Sequence, residues 1–216
     1  METFIFAIEI IGTVAFSLSG AMVAYQKRMD IFGVCVMGLV TACGGGFLRD
    51  LFLGQLPPSM FLNPVYPVTA IVVSLIAFLP GVHRALQKRE DLYEQVQRLA
   101  DALGLGMFTA VGISTAIYAG FYDNAFFVIF IATITGVGGG LMRDVLAGLP
   151  PSIFVRHIYA LAVIAGAIIC YMLWLPLGET AATMICFVVV LIIRLLAAKY
   201  RWSMPRAGDL EKDKTE

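Results

Sequence analysis

Hydrophobic positions run through this chain in long unbroken blocks rather than at the spacing of a water-facing helix or strand. Apolar stretches of about 17 to 25 residues fall near 4–25, 31–53, 65–80, 101–119, 124–147, 157–175 and 180–198, and each predicts a membrane-spanning helix. Polar residues gather over 82–100, read as an amphipathic cytoplasmic linker or a helical extension into water, and over the tail 201–216. The expected fold is therefore an all-α integral membrane protein with seven transmembrane helices in one membrane domain, 1–200. The first stretch has neither a basic leader nor a small-residue cleavage site, so it is read as a retained helix.

The same pattern is written twice. Thr41-Ala42-Cys43-Gly44-Gly45-Gly46-Phe47-Leu48-Arg49-Asp50 returns 94 positions later as Thr135-Gly136-Val137-Gly138-Gly139-Gly140-Leu141-Met142-Arg143-Asp144, and each copy runs on to Pro-Pro-Ser. Glu9, Gly12, Phe16, Gly20 and Ala24 likewise return as Asp101, Gly104, Phe108, Gly112 and Ala116. Repeat one covers about 4–80 and repeat two about 101–175, with three helices in each. Because three is odd, the second repeat enters the membrane from the opposite side, giving an inverted pair. The seventh helix, about 180–198, lies outside the duplication.

Composition agrees with the pattern: 60% of residues are hydrophobic, 14% are charged, and mean hydropathy is +0.87. Lys27 and Arg28, then Arg84, Lys88, Arg89 and Arg98, then Arg156, and finally Lys199, Arg201, Arg206, Lys212 and Lys214 occupy alternate loops and the tail. By the positive-inside rule, that alternation predicts an N-terminus outside and a C-terminus in the cytoplasm. A net charge of zero without a basic groove offers nothing to nucleic acid. His83 and His157 are isolated, and Cys35, Cys43, Cys170 and Cys186 lack metal or disulfide spacing, so no structural metal and no cofactor is expected. No nucleophile–base pair, P-loop or dinucleotide fingerprint is present, and an enzyme is not expected.

Three consecutive glycines weaken a helix by roughly 1 kcal/mol each relative to alanine, so the second and fifth helices are expected to break at Gly44, Gly45, Gly46 and at Gly138, Gly139, Gly140. The freed backbone would line a polar path; the alternative is that the glycines permit close helix packing. Arg49, Asp50, Arg143 and Asp144 are the charges hardest to place at membrane depth, either as pore contacts or as a supporting ion network. A reciprocal arrangement is expected, with Arg49 facing Asp144 and Arg143 facing Asp50. Thr41 and Thr135, immediately before the glycine blocks, are candidate pore hydroxyls. Ser17, Ser19 and Ser114 are weaker candidates, since such groups commonly bond their own helix. Glu9 and Asp101 are candidate vestibule carboxylates or ordinary helix-end groups. Arg194 is expected to snorkel toward the cytoplasmic surface.

The doubled glycine-rich Arg-Asp element, the trailing Pro-Pro-Ser and the seven stretches resemble the prokaryotic trimeric intracellular cation channel family over nearly the whole chain. The resemblance implies a homotrimer in the bacterial inner membrane. Each protomer would hold its own pore for potassium and other monovalent cations such as sodium, lined near the two glycine blocks, with Arg49, Asp50, Arg143 and Asp144 following them. Animal members carry a lysine-containing motif after the first glycines, tied to phosphoinositide binding. Phe47-Leu48-Arg49-Asp50 stands there in this chain, so lipid gating is not carried over. A secondary transporter of a small amino acid such as glycine is the other reading that the inverted repeats allow.

Overall fold

The computed structural model describes residues 2–82, 90–155, 158–200 and 202, and its regular structure is helical throughout. In chain order the elements are α1 (Glu2–Gln26), α2 (Ile31–Leu53), α3 (Ser59–Leu62), α4 (Val65–Phe78), α5 (Glu90–Ala116) running into a π-helical turn (Ile117–Phe121), α6 (Ala125–Leu146), α7 (Ser152–Val155) and α8 (Tyr159–Lys199). Among the described residues, five helices are long and apolar enough to cross a membrane: α1, α2, α5 with its π turn, α6 and α8. α4 is shorter, with 14 residues. The stretches expected as the sixth and seventh spans both lie in the 41-residue α8, whose backbone leaves helical geometry at Gly178 (φ 76°), just beyond Pro176. From Glu90 onward the expected linker is helix continuous with α5. His83, Arg84, Lys88, Arg89, Arg156, His157 and the basic residues of the tail from Arg201 lie outside the described residues.

Local chemistry sets the helix ends, and it does so twice. Asp30 caps α2 by accepting from the Gly33 amide at 2.7 Å, and Asn124 caps α6 by accepting from the Phe127 amide at 3.0 Å. Gly54 and Gly148 (φ 69° and 63°) take the left-handed conformation that ends each helix before Pro-Pro-Ser. Large apolar side chains face outward on both halves, including Phe32 at 74% and Phe126 at 81% exposure. Water would not tolerate such a belt, whereas a bilayer satisfies it.

The glycine blocks do not break their helices, which corrects the sequence expectation. α2 and α6 continue through Gly44–Gly46 and Gly138–Gly140 without a non-helical residue. The blocks form a seam where the two helices touch: a methyl group at Gly45 would be driven into the carbonyl oxygen of Thr135, and one at Gly139 into that of Thr41. Lipid offers no hydrophobic drive between helices, so close backbone approach through small residues supplies the packing instead. The real breaks lie elsewhere, at Gly120 (φ 89°) and Gly178. There the Tyr118 hydroxyl bonds Glu179 and ties the two kinks together.

The pairing of Thr41 with Gly139 and of Gly45 with Thr135 makes α2 and α6 antiparallel. Gly12 packs on Met107 and Phe108 while Gly104 packs on Phe16, so α1 and α5 are antiparallel as well. The rings of Phe16 and Phe108, equivalent in the two repeats, meet at 5.4 Å near the middle.

Candidate functional site

Arg49-Asp50 and Arg143-Asp144 follow the seam on helices that run in opposite directions, so they lie toward opposite ends of the crossing. Extending the pairing puts Arg143 level with the residue about twelve positions before Arg49, which at ~1.5 Å per residue separates the two arginines by about 18 Å along α2. Each becomes the centre of a polar cluster built from one repeat's own residues and their neighbours.

At one end, Arg49 Nε donates to Asp50 Oδ1 at 2.8 Å, and the Ser59 amide donates to Asp50 Oδ2 at 2.7 Å. The carboxylate thereby satisfies the amide that opens α3 and holds the Pro-Pro-Ser turn against α2. Tyr66, at the start of α4, donates its hydroxyl to Glu9 of α1. A cavity of about 40 Å³ opens here, bounded by Glu9, Thr13, Cys43, Arg49, Tyr66 and Phe108. That is room for a few waters or a small ion.

At the other end the same parts recur. Arg143 Nε donates to Asp144 Oδ1 at 2.9 Å, and the Ser152 amide donates to Asp144 Oδ2 at 2.7 Å. Asp101, the counterpart of Glu9, is closer in: Arg143 Nη1 donates to its Oδ1 at 2.7 Å and to Ser19 Oγ at 2.6 Å. Tyr159, the counterpart of Tyr66, reaches the same carboxylate at 3.4 Å. Arg194 comes in from α8, its Nη2 3.7 Å from Asp101 Oδ2 and its guanidinium 4.6 Å from the centre of the Tyr159 ring. Asp101, Arg143, Asp144, Tyr159 and Arg194 are all buried.

Two expectations are corrected by this geometry. Arg49 and Arg143 do not reach across to Asp144 and Asp50; each pairs with the aspartate next to it, because that aspartate is held in place by the Pro-Pro-Ser amide. Arg194 does not snorkel but turns inward, where a carboxylate and an aromatic face compensate its burial. The candidate hydroxyls bond backbone: Thr41 to Met37, Thr135 to Ile131, Ser114 to Ala110 and Ser17 to Ala70. Of those weighed from sequence, only Ser19 joins a charged cluster. Thr41 and Thr135 face Gly20 and Gly112 instead, mirrored contacts that seat α1 on α2 and α5 on α6.

Tyr66, Tyr159 and the amides of Ser59 and Ser152 were not singled out in the sequence. The signal was available, since both pairs recur at an offset of 93. Because the serine contributes its amide to Asp144, Ser152→Ala is expected to stay within about 1 kcal/mol of the parent in thermal unfolding. Asp144→Ala removes one of the two carboxylates paired with the buried Arg143 and leaves the Ser152 amide without its acceptor, and is expected to cost about 3 kcal/mol.

A family model described as "Glycine transporter" matches residues 6–80 and 98–175. The UPF0126 inner membrane protein YadS of Escherichia coli (strain K12) is 37% identical over 205 residues, covering 93% of this chain and 95% of its own. The UPF0126 membrane protein YvgT of Bacillus subtilis (strain 168) is 34% identical over 198 residues, 92% and 94% of the two chains. Among solved structures, a protein from work on conductance through TRIC cation channels aligns with a TM-score of 0.82 at 36% identity, over 93% of this chain and 95% of that one. A prokaryotic TRIC channel crystallised in 0.5 M KCl gives 0.86 at 30%, over 94% and 100%. The TRIC trimeric intracellular cation channel orthologue from Rhodobacter sphaeroides gives 0.84 at 29%, over 93% and 100%. With its doubled glycine seam and paired Arg-Asp clusters, this multi-pass membrane protein belongs to the prokaryotic trimeric intracellular cation channel family.

Proposed function

We propose that the protein is a monovalent cation channel, permeable to potassium, with a conduction path inside each protomer of a homotrimer in the bacterial inner membrane. The observation that carries the reading is the cavity at the Glu9 end, which extends to Phe108 beside the glycine seam, whereas the equivalent side chains at the Asp101 end are buried in ion pairs. The Glu9 end faces outside and the Asp101 end the cytoplasm, in line with the distribution of lysine and arginine. The path runs past Glu9 and Cys43 to the Phe16–Phe108 pair, an apolar constriction that gates by excluding water. It then reaches the Asp101 cluster, where rearrangement of Arg143 and Arg194 opens the inner side. Each arginine on the way is compensated by a carboxylate, so a cation is not met by uncancelled positive charge.

Potassium efflux from proteoliposomes tests this reading: a flux that rises with the potassium gradient without saturating supports it. A carrier for a small amino acid such as glycine is the second reading, favoured by the description of the matching family model. Saturable glycine uptake with no potassium leak would establish that reading in place of the channel.

A further inference from the structure

We propose that the cavity at the Glu9 end is a binding site for a planar organic monocation of the guanidinium class, entering from that face of the membrane. The inference goes beyond ion conduction and rests on comparing the two halves of the molecule. At the Asp101 end the carboxylate and the tyrosine ring together receive a guanidinium, that of Arg194, 3.7 Å from Asp101 Oδ2 and 4.6 Å from the centre of the Tyr159 ring. Arg194 comes from the part of α8 beyond Gly178, outside the duplication. At the other end the equivalents of that carboxylate and ring, Glu9 and Tyr66, border a cavity instead.

The charges differ in the same sense. Arg143 and Arg194 balance Asp101 and Asp144 at the closed end. At the open end Arg49 stands against both Glu9 and Asp50, and Arg49 is already engaged by Asp50. Among the described residues Glu9 has no ion pair within 4.0 Å; its contact is the Tyr66 hydroxyl. A half-buried carboxylate with no ion pair among the described residues, sharing its cavity with an Arg49 that Asp50 already holds and set beside an aromatic ring, matches the charge and the flat face of guanidinium. The carboxylate accepts its N–H groups while the ring stacks on its plane. Potassium has no plane to stack, and tetramethylammonium has no donors for the carboxylate.

The test is thermal unfolding of the full-length protein in detergent with millimolar guanidinium chloride, against potassium chloride and tetramethylammonium chloride at equal ionic strength. The midpoint is expected to rise with guanidinium alone, and Glu9→Gln is expected to weaken the apparent affinity about tenfold or more. If Glu9→Gln does not elute as folded protein, Tyr66→Leu, which removes the stacking face and keeps the carboxylate, carries the same comparison. An equal rise in the variant, an equal rise with potassium, or no rise in folded parent protein would each overturn the assignment. None of these readouts depends on current, so failure here is distinct from failure of the channel reading.

Discussion

Gly45→Ala and Gly139→Ala are each expected to destabilise the protein by about 3 kcal/mol, the upper range for overpacking, with a marked loss of folded material after extraction. The added methyl in either variant meets a main-chain carbonyl on the facing helix, that of Thr135 or of Thr41. Backbone within a helix cannot rotate aside as a side chain can, so α2 and α6 must separate to make room. Gly46→Ala is the control, because its nearest neighbour would be the Arg49 guanidinium at 3.8 Å. It is expected to behave as the parent does or to gain slightly from better helix propensity. Gly44→Ala is intermediate, since it meets the Met142 sulfur at 2.7 Å, the flexible part of a movable side chain. Thermal unfolding of the four single variants gives the order. If Gly46→Ala were as damaging as Gly45→Ala, the seam would not be the reason for the glycines.

Asp101→Asn is expected to cost about 3–5 kcal/mol, the range for removing one partner of a buried ion group, whereas Glu9→Gln at the equivalent position is expected to cost less than about 1 kcal/mol. Asp101 is 2% exposed and lies between Arg143 and Arg194. Replacing it with a neutral amide leaves two guanidinium groups close together in a buried region. Among the described residues Glu9 holds no arginine within ion-pair distance, and it borders a cavity that water or an ion can enter. Comparing folded yield and unfolding midpoint for the two variants therefore reads the asymmetry between the repeats directly. Equal damage at both positions would mean that the clusters are equivalent in the membrane.

The sequence carried the membrane class, the two repeats and the charged residues of the clusters, because long apolar blocks and a repeated motif survive translation into structure almost unchanged. It did not carry the state of the glycine blocks. Propensity argues for a break, but it ignores what the facing helix supplies, and here the contact between Gly45 and Thr135 keeps α2 intact. It also misdirected the ion pairs. Inverted symmetry suggested that Arg49 would meet Asp144, yet the amides of Ser59 and Ser152 fix each aspartate beside its own arginine. For Arg194, the nearby Lys199 and Arg201 argue for snorkelling. Its actual partners, Asp101 and Tyr159, are far away in sequence and close only after folding. Tyr66 and Tyr159 were legible in principle, as their matched spacing marks them as members of the repeat.

The most direct measurement is single-channel recording across a potassium gradient, with Cys35, Cys170 and Cys186 replaced by serine or alanine so that Cys43 alone remains. Cys43 borders the cavity between Glu9 and the glycine seam. Discrete cation-selective steps that shrink when a small thiol reagent is added on the N-terminal side, and not when it is added on the opposite side, are the expected result. A silent bilayer, or steps that persist unchanged with Cys43 fully modified, would contradict a path through this cavity.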